Sequence, residues 1–288
     1  MRPPYLRLLE PAPGILAWYD GRVPGYRIYA GPNWVDDGAI ELGIAAYAVI
    51  TGDAALVYDT HVSLAHARAM RTDLEARGVT RFTTILSHWH LDHVAGTEVF
   101  ADGPVLANAR TAEHLKDRRA GIEAGTRPPA IAPLILPDET FADRTTRDGA
   151  ELIRFDIHSD DGTVLWLPER RILLAGDTLE DPITYVAEPE GLERHLAELD
   201  RLAALGAARI LPNHGDPDVI GAGGYGPGLI DATRRYISFL LGLRRDPSRR
   251  DMPLREVIAD DLADGTLRWF EAYEGVHRNN LAEVLGNA

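Results

Sequence analysis

Along residues 43–60, "GIAAYAVITGDAALVYDT", apolar positions alternate loosely and break at Thr51-Gly52-Asp53. Two strands joined by a tight turn account for this, because a strand sends successive side chains to opposite faces and Gly-Asp favours reversal. The period then changes. Leu64, Ala67, Met70 and Leu74 recur on one helical face within residues 61–78, and Gly78 is placed to end the helix. A short β-rich run, "FTTILSH", follows at 82–88, and a further strand is expected at 103–109, with a helix near 111–119. Residues 121–141 are proline-rich and read as a long loop or lid, either an ordinary surface loop or one whose Ile131, Leu134 and Ile135 wall an apolar pocket. Strands are expected at 151–157, 162–168 and 171–176. Leu192, Leu196, Leu199 and Leu202 give 189–206 a helical face, 208–216 reads as strand then loop, and 229–243, 253–263 and 267–285 read as helices. Groups of strands alternate with helices, and several neighbouring strands can pair as hairpins. The pattern predicts an α/β protein with mixed sheets and helices on both outer faces.

Composition narrows the picture at three points. The 288 residues suffice for one large domain, with or without a small appendage. The chain has no cysteine, which excludes disulfides, thiolate metal ligands and a cysteine nucleophile. The formal net charge of −14 weighs against a nucleic-acid partner. Neither a run of about 18 apolar residues nor the apolar heart of a signal peptide is visible, so a cytoplasmic protein without membrane attachment is expected.

The chemistry concentrates in "ILSHWHLDH", residues 85–93, where three of ten histidines and an aspartate fall within six residues. Imidazoles crowded against a carboxylate repel or desolvate one another unless a cation lies between them. His88 and His90, two apart in an extended turn, can point at one ion, and Asp92 and His93 at a second a few ångströms away. Three further donors sit just past predicted strands: His158 after "LIRFD", Asp177 in "AGDT" and His214 in "PNHGD". Strand ends are where α/β folds gather ligands. His88, His90 and His158 are thus expected to hold one metal, and Asp92, His93 and His214 the other, with Asp177 bridging. Imidazole and carboxylate without thiolate suit zinc, iron, cobalt or manganese. His61 is a weaker candidate to support the cluster, while His66, His114, His195 and His277 lie in helical segments and are expected at the surface or in packing.

The string His88-Trp89-His90-Leu91-Asp92-His93 resembles the H-x-H-x-D-H signature of the metallo-β-lactamase fold superfamily. His158, Asp177 and His214 match its remaining metal ligands, and Asp59 its aspartate at the end of the strand before the first helix. The resemblance covers about residues 25–243. It implies an αββα sandwich, with residues 1–243 as a catalytic domain and 244–288 as a helical C-terminal extension. It implies two divalent ions per chain, zinc foremost, with iron, manganese or cobalt as alternatives. Within the superfamily the ligand set is similar to that of glyoxalase II-type thioesterases and N-acyl homoserine lactonases. The implied activity is hydrolysis of a carboxylic ester, lactone or thioester in a small acyl substrate by a metal-bridging hydroxide. Asp92 and Asp177 would orient the nucleophile, and Tyr185 would position the carbonyl, as a tyrosine does in related lactonases. A cysteine-free β-lactamase is the alternative. A noncatalytic metal-stabilised module or an iron-dependent oxygen-using enzyme is the reading from another class. The turn after His158, "DIHSDDGTV", departs from the "GHTPG" of many relatives, and its Asp160 and Asp161 weigh against a highly anionic substrate. Trp89 is expected to pack beneath the ligand loop, and the C-terminal extension leaves a homodimer open.

Overall fold

In the computed structural model, which describes residues 1–186 and 188–286, the strands form two sheets packed face to face. The first sheet runs in chain order: β1 (Arg7–Ala12), β2 (Ile15–Asp20), β3 (Ile44–Thr51), β4 (Ala54–Tyr58), β5 (Arg81–Leu86), β6 (Val105–Asn108) and β7 (Glu139–Phe141). Its pairings are antiparallel up to β4 and parallel from β4 to β7. The second sheet contains β8 (Arg144–Arg147), β9 (Ala150–Arg154), β10 (Thr163–Leu167), β11 (Ile172–Gly176) and β12 (Arg209–Pro212). There β11 and β12 are parallel and the others antiparallel. The expected sandwich of two mixed sheets flanked by helices is what forms.

The two-residue period of β2, β3 and β4 explains the layering. Tyr19, Tyr47 and Tyr58 turn inward to the second sheet's side of the core, while Trp18, Ala48 and Val57 turn outward. The outward face is covered by Ala67, Met70 and Leu74 of α1 (Leu64–Glu75). Next come α2 (Leu91–Val94) and α3 (Ala109–Ala124), the latter packing Leu115 and Ile122 against β6 residues. The second sheet is covered by α4 (Leu192–Ala203) and α6 (Gly228–Leu243), with α5 (Pro217–Gly221) between them in the chain. After residue 243 come α7 (Leu254–Val257), α8 (Ala259–Ala263) and α9 (Tyr273–Leu285), which place Leu254, Ile258, Tyr273 and Leu281 in the same hydrophobic cluster as the sheets. Among the described residues, no helix is long and apolar enough to cross a membrane.

Several boundaries differ from the sequence pattern for local reasons. His61 adopts a left-handed conformation (φ 65°), so α1 starts at Leu64, capped by Ser63 whose side chain accepts from the His66 amide. The expected helix over 253–263 divides at Ile258 (φ −107°, ψ 19°). The one over 267–285 starts only at Tyr273, because the amides of Leu267 and Arg268 donate to Asp261 O and Asp181 Oδ1 instead. The 121–141 stretch does not wall the histidine cavity with its apolar residues. Ile131 and Leu134 are buried beside Leu115 and Ile122, and Ile131 also lines a separate cleft of about 250 Å³ with Trp34, Val62 and Leu64.

Candidate metal centre

The histidines meet at one edge of the sandwich, where parallel strands of both sheets end. After β4, Asp59 takes a left-handed conformation (φ 64°) and turns its carboxylate back to the loop following β5. Asp59 Oδ1 accepts from the Ser87 amide at 2.7 Å, while Oδ2 accepts from His93 Nδ1 at 2.9 Å and Asn213 Nδ2 at 2.6 Å. This one carboxylate fixes the ends of the ligand loop. At the end of β11, Gly176 is required: its φ is +58°, and a Cβ there would lie 2.9 Å from the Tyr58 hydroxyl and 3.2 Å from Ser87 Cβ. The chain can thus bring Asp177 directly against the histidine loop.

Hydrogen bonds to the far ring nitrogens orient the imidazoles, as is usual for metal-binding histidines. His214 Nδ1 donates to Gly43 O at 2.7 Å, and His158 Nδ1 to Tyr185 O at 3.1 Å, so each turns Nε2 to the cluster. His88 Nδ1 contacts Ser87 Oγ at 2.9 Å. The ligand atoms then fall into two groups, His88–His90–His158–Asp177 and Asp92–His93–His214, each within 4.8 Å. His90 Nδ1 lies 3.0 Å from His158 Nε2, and His214 Nε2 lies 3.3 Å from Asp92 Oδ2. Two imidazole nitrogens this close need a proton or a cation between them.

Among the buried side-chain atoms without a hydrogen-bond partner in the described residues, two belong to the ligand set, His88 Nε2 and Asp177 Oδ1. An unpaired buried donor or acceptor is costly, and here both belong to residues of the cluster. Imidazole and carboxylate donors with unpartnered atoms fit divalent ions of the zinc type. The electrostatics are those of a site held by opposite charges. Burial opposes charge on His93 and His214, yet Asp177 and Asp92 raise both, His214 to about 9. Burial together with the neighbouring His158 takes His90 down to about 3. Against its own burial, Asp92 is lowered to about 2 by His93 and His214.

All seven predicted ligand residues are therefore brought together. Asp59 lies beside them as expected, whereas His61 makes no hydrogen bond to the cluster and stacks on His66 at 4.3 Å. Tyr185 is half-buried on the wall of a cavity of about 510 Å³ whose floor includes His90, Asp92, His158, Asp177 and His214. Its ring centre lies 6.2 Å from that of His158. Trp89 also lines this cavity and carries the Arg118 guanidinium 4.2 Å from its ring centre. Asp160 and Asp161 do not line it. Asp160 pairs with Arg110 at 2.6 Å and His114 at 2.7 Å, while buried Asp161 accepts from the Trp89 amide at 2.9 Å and Ser159 Oγ at 2.7 Å. Asp161 thus braces the ligand loop, while Asp160 ties the turn after His158 to α3.

Four residues at the site escaped the sequence pattern. Asn213 Nδ2 donates to the same Asp59 oxygen as His93 Nδ1, and its only signal is its place beside His214. Glu180 lies on the cavity wall, three residues after Asp177, accepting from the Tyr185 amide and the Tyr273 hydroxyl, both at 3.1 Å. Burial, reinforced by Asp177, pushes its carboxyl up to about 8. Arg127 and Asn279 also reach the cavity, from segments far apart in the chain.

A family model described as the metallo-beta-lactamase superfamily matches residues 39–214, more than half of the chain. The chain belongs to the metallo-beta-lactamase superfamily. Among curated relatives, this superfamily member is 31% identical to the Beta-lactamase-like protein 2 homolog of Caenorhabditis elegans over 134 residues, 46% of this chain and 41% of that one. It is 30% identical to the Lactamase-like protein vrtG of Penicillium aethiopicum over 182 residues, 60% of this chain and 52% of that one. The chain thus spans about half the length of the curated relatives it matches. Solved structures share the fold at low identity. The DIM-1 metallo-beta-lactamase exposed to ceftazidime matches with TM-score 0.60 and 21% identity, over 82% of this chain and 98% of that one. The FIM-1 enzyme of Pseudomonas aeruginosa in its mono-zinc form matches with TM-score 0.61 and 14% identity, over 81% and 95%.

Proposed function

We propose that this superfamily member is a dinuclear metal-dependent hydrolase that cleaves a carboxylic ester, lactone or thioester in a small acyl substrate. The observation that carries the reading is the position of Asp177. Its Oδ2 lies 3.1 Å from His93 Nε2, 3.5 Å from His214 Nε2, 3.6 Å from His88 Nε2 and 3.7 Å from His158 Nε2. One carboxylate oxygen faces both donor sets, which is what a bridging ligand requires. His88, His90 and His158 would hold one ion and Asp92, His93 and His214 the other, with zinc the expected metal. Bound there, two divalent ions supply Lewis acidity and lower the pKa of water at the cavity floor.

The remaining steps belong to the chain's own residues. Asp92 and Asp177 offset the positive charge and orient the nucleophile through their oxygens. Asp177 Oδ1, buried and unpartnered, is the atom suited to take a proton from the nucleophile and return it to the leaving group. Trp34, Trp89 and Val276 form an apolar part of the cavity wall and limit water around the acyl group. The Tyr185 phenol, on the same wall, has no hydrogen-bond partner among the described residues, which leaves it to position the substrate carbonyl. The formal charge of −14 supports a small-molecule substrate over a nucleic acid. The fold neighbours are metallo-beta-lactamases, which makes β-lactam amides the second reading.

The test is metal content together with hydrolysis of lactones, thioesters, aryl esters and β-lactams. Two ions per chain and preference for one of the first three classes are expected. Asp177→Ala should lower metal content by about one ion and the rate by about 100-fold or more. Full metal content with a normal rate in that variant would end the bridging assignment. Preference for β-lactams would favour the second reading.

A further inference from the structure

Histidines aside, the ionisable side chains that line the cavity are acids and a tyrosine, with one exception. Asp37, Asp92, Asp177 and Glu180 contribute to its surface, and Arg127 is the one Arg or Lys among the described residues that line it. The acids are engaged. Asp37 pairs with Arg27 at 2.5 Å and accepts from the Asn33 amide at 2.8 Å. Asp92 and Asp177 belong to the donor sets, and Glu180 accepts from Tyr185 and Tyr273. The Arg127 guanidinium, by contrast, makes no ion pair or hydrogen bond with any described residue, nor does the side chain of Asn279 on α9. Both are exposed, so both present N–H groups to whatever fills the cavity.

Arg127 is not on an untethered loop. Trp34 donates from its amide to Pro128 O at 3.2 Å and from its indole to Pro129 O at 3.0 Å, fixing the backbone just after Arg127. Trp34 itself lines the cavity, so one side chain links the loop to the wall. The sequence argument against an anionic substrate rested on Asp160 and Asp161, and both lie outside this cavity.

We propose that Arg127, assisted by Asn279, forms a carboxylate subsite, and that the substrate is an ester, lactone or thioester with a free carboxylate remote from the bond that is cleaved. The inference rests on the hydrolase reading for the second half of this statement only. A guanidinium fork matches carboxylate and phosphate alike in geometry. Arg127 brings a single positive charge to the wall, which one carboxylate balances and a phosphate dianion exceeds.

The experiment measures binding of glutarate, butyrate and inorganic phosphate to the metal-loaded protein and to its metal-loaded Arg127→Gln variant by calorimetry. Equal metal content in the two proteins serves as the control for folding. Both organic acids offer one carboxylate to the floor, and only glutarate has a second for the wall. Glutarate is expected to bind the unmodified protein about tenfold tighter than butyrate, equivalent to about 1.4 kcal/mol, and the ratio to fall to near one in Arg127→Gln. An unchanged ratio in the variant, or no preference in the unmodified protein, overturns the subsite. Phosphate binding tighter than glutarate, with that advantage lost in the variant, overturns the carboxylate assignment. A parallel rate measurement compares aryl hydrogen glutarate with its methyl-capped diester. If glutarate discrimination holds and neither ester is cleaved, the subsite stands and the hydrolase reading fails.

Discussion

His214 illustrates how a single side chain is prepared for an ion. Its Nδ1 is tied to Gly43 O at 2.7 Å, and its Nε2 faces Asp92 and Asp177 at 3.3 and 3.5 Å. In protein stripped by a chelator, burial works against its charge, but Asp177, Asp92 and Glu180 hold it protonated up to about 9. The folded value lies above the ordinary one near 6.5, so stability from this charge pairing is full below about 6.5 and lost as pH rises through about 9. Ion binding must expel the same proton, so it has the opposite dependence. Apparent metal affinity should rise between pH 6 and 9, about tenfold per unit for each proton displaced. Competition against a chromophoric chelator measures this, and a flat profile would contradict the charge state described. At this scale the sequence was informative where the residue type is itself unusual. Three histidines beside Asp92 have few uses besides a cation. Asn213 is a common polar residue whose task depends on Asp59 and His93 arriving from other strands, so no local signal could reveal it.

At the scale of elements, α9 has a larger part than its place after the family match suggests. Asn280 on α9 is fully buried; its Nδ2 donates to Thr184 O and to the Tyr236 hydroxyl, both at 3.1 Å, and its Oδ1 accepts from the Val186 amide at 2.9 Å. These bonds hold the backbone on both sides of Tyr185. Asn280→Ala leaves the Thr184 carbonyl and the Val186 amide unsatisfied, while the Tyr236 hydroxyl keeps its contact with His277 Nδ1, and should destabilise the protein by about 2–4 kcal/mol. Denaturant unfolding measures the loss, and a change below about 0.5 kcal/mol would show that the segment is held by other contacts. Helices and hairpins with strong periodicity were legible: α1, α4, α6 and the β3–β4 pair lie where apolar spacing places them. The β1–β2 hairpin and the edge strands β7 and β8 were not. β8, "RTTR", has no buried residue to create a pattern, and β7 only one. Their strand character comes from neighbours that supply hydrogen bonds, which the local sequence does not record.

At the scale of the whole molecule, the centre draws on both sheets: His88, His90, Asp92 and His93 follow β5, while His158, Asp177 and His214 follow β9, β11 and β12. Ions that tie these loops together should stabilise the folded chain by mass action, by about 2.7 kcal/mol at a hundredfold excess over Kd. Chelation should therefore lower Tm by about 5–10 °C, and restored zinc should reverse it; an unchanged Tm would mean that the ions add nothing to the fold. The same division between sheets gives the inward tyrosines a meaning beyond packing. The Tyr47 hydroxyl donates to Pro212 O at 2.5 Å and the Tyr19 hydroxyl to Gly215 O at 3.0 Å, one on each side of Asn213-His214. The Tyr58 hydroxyl donates to Thr163 O at 2.5 Å, where the loop bearing His158 rejoins its sheet. Apolar contacts alone would let two sheets shear past each other with little penalty, since they have no preferred direction. Three phenol-to-carbonyl rivets remove that freedom, so the gauge between the two halves of the centre is set well away from the substrate, by residues that no inspection of the cavity would single out.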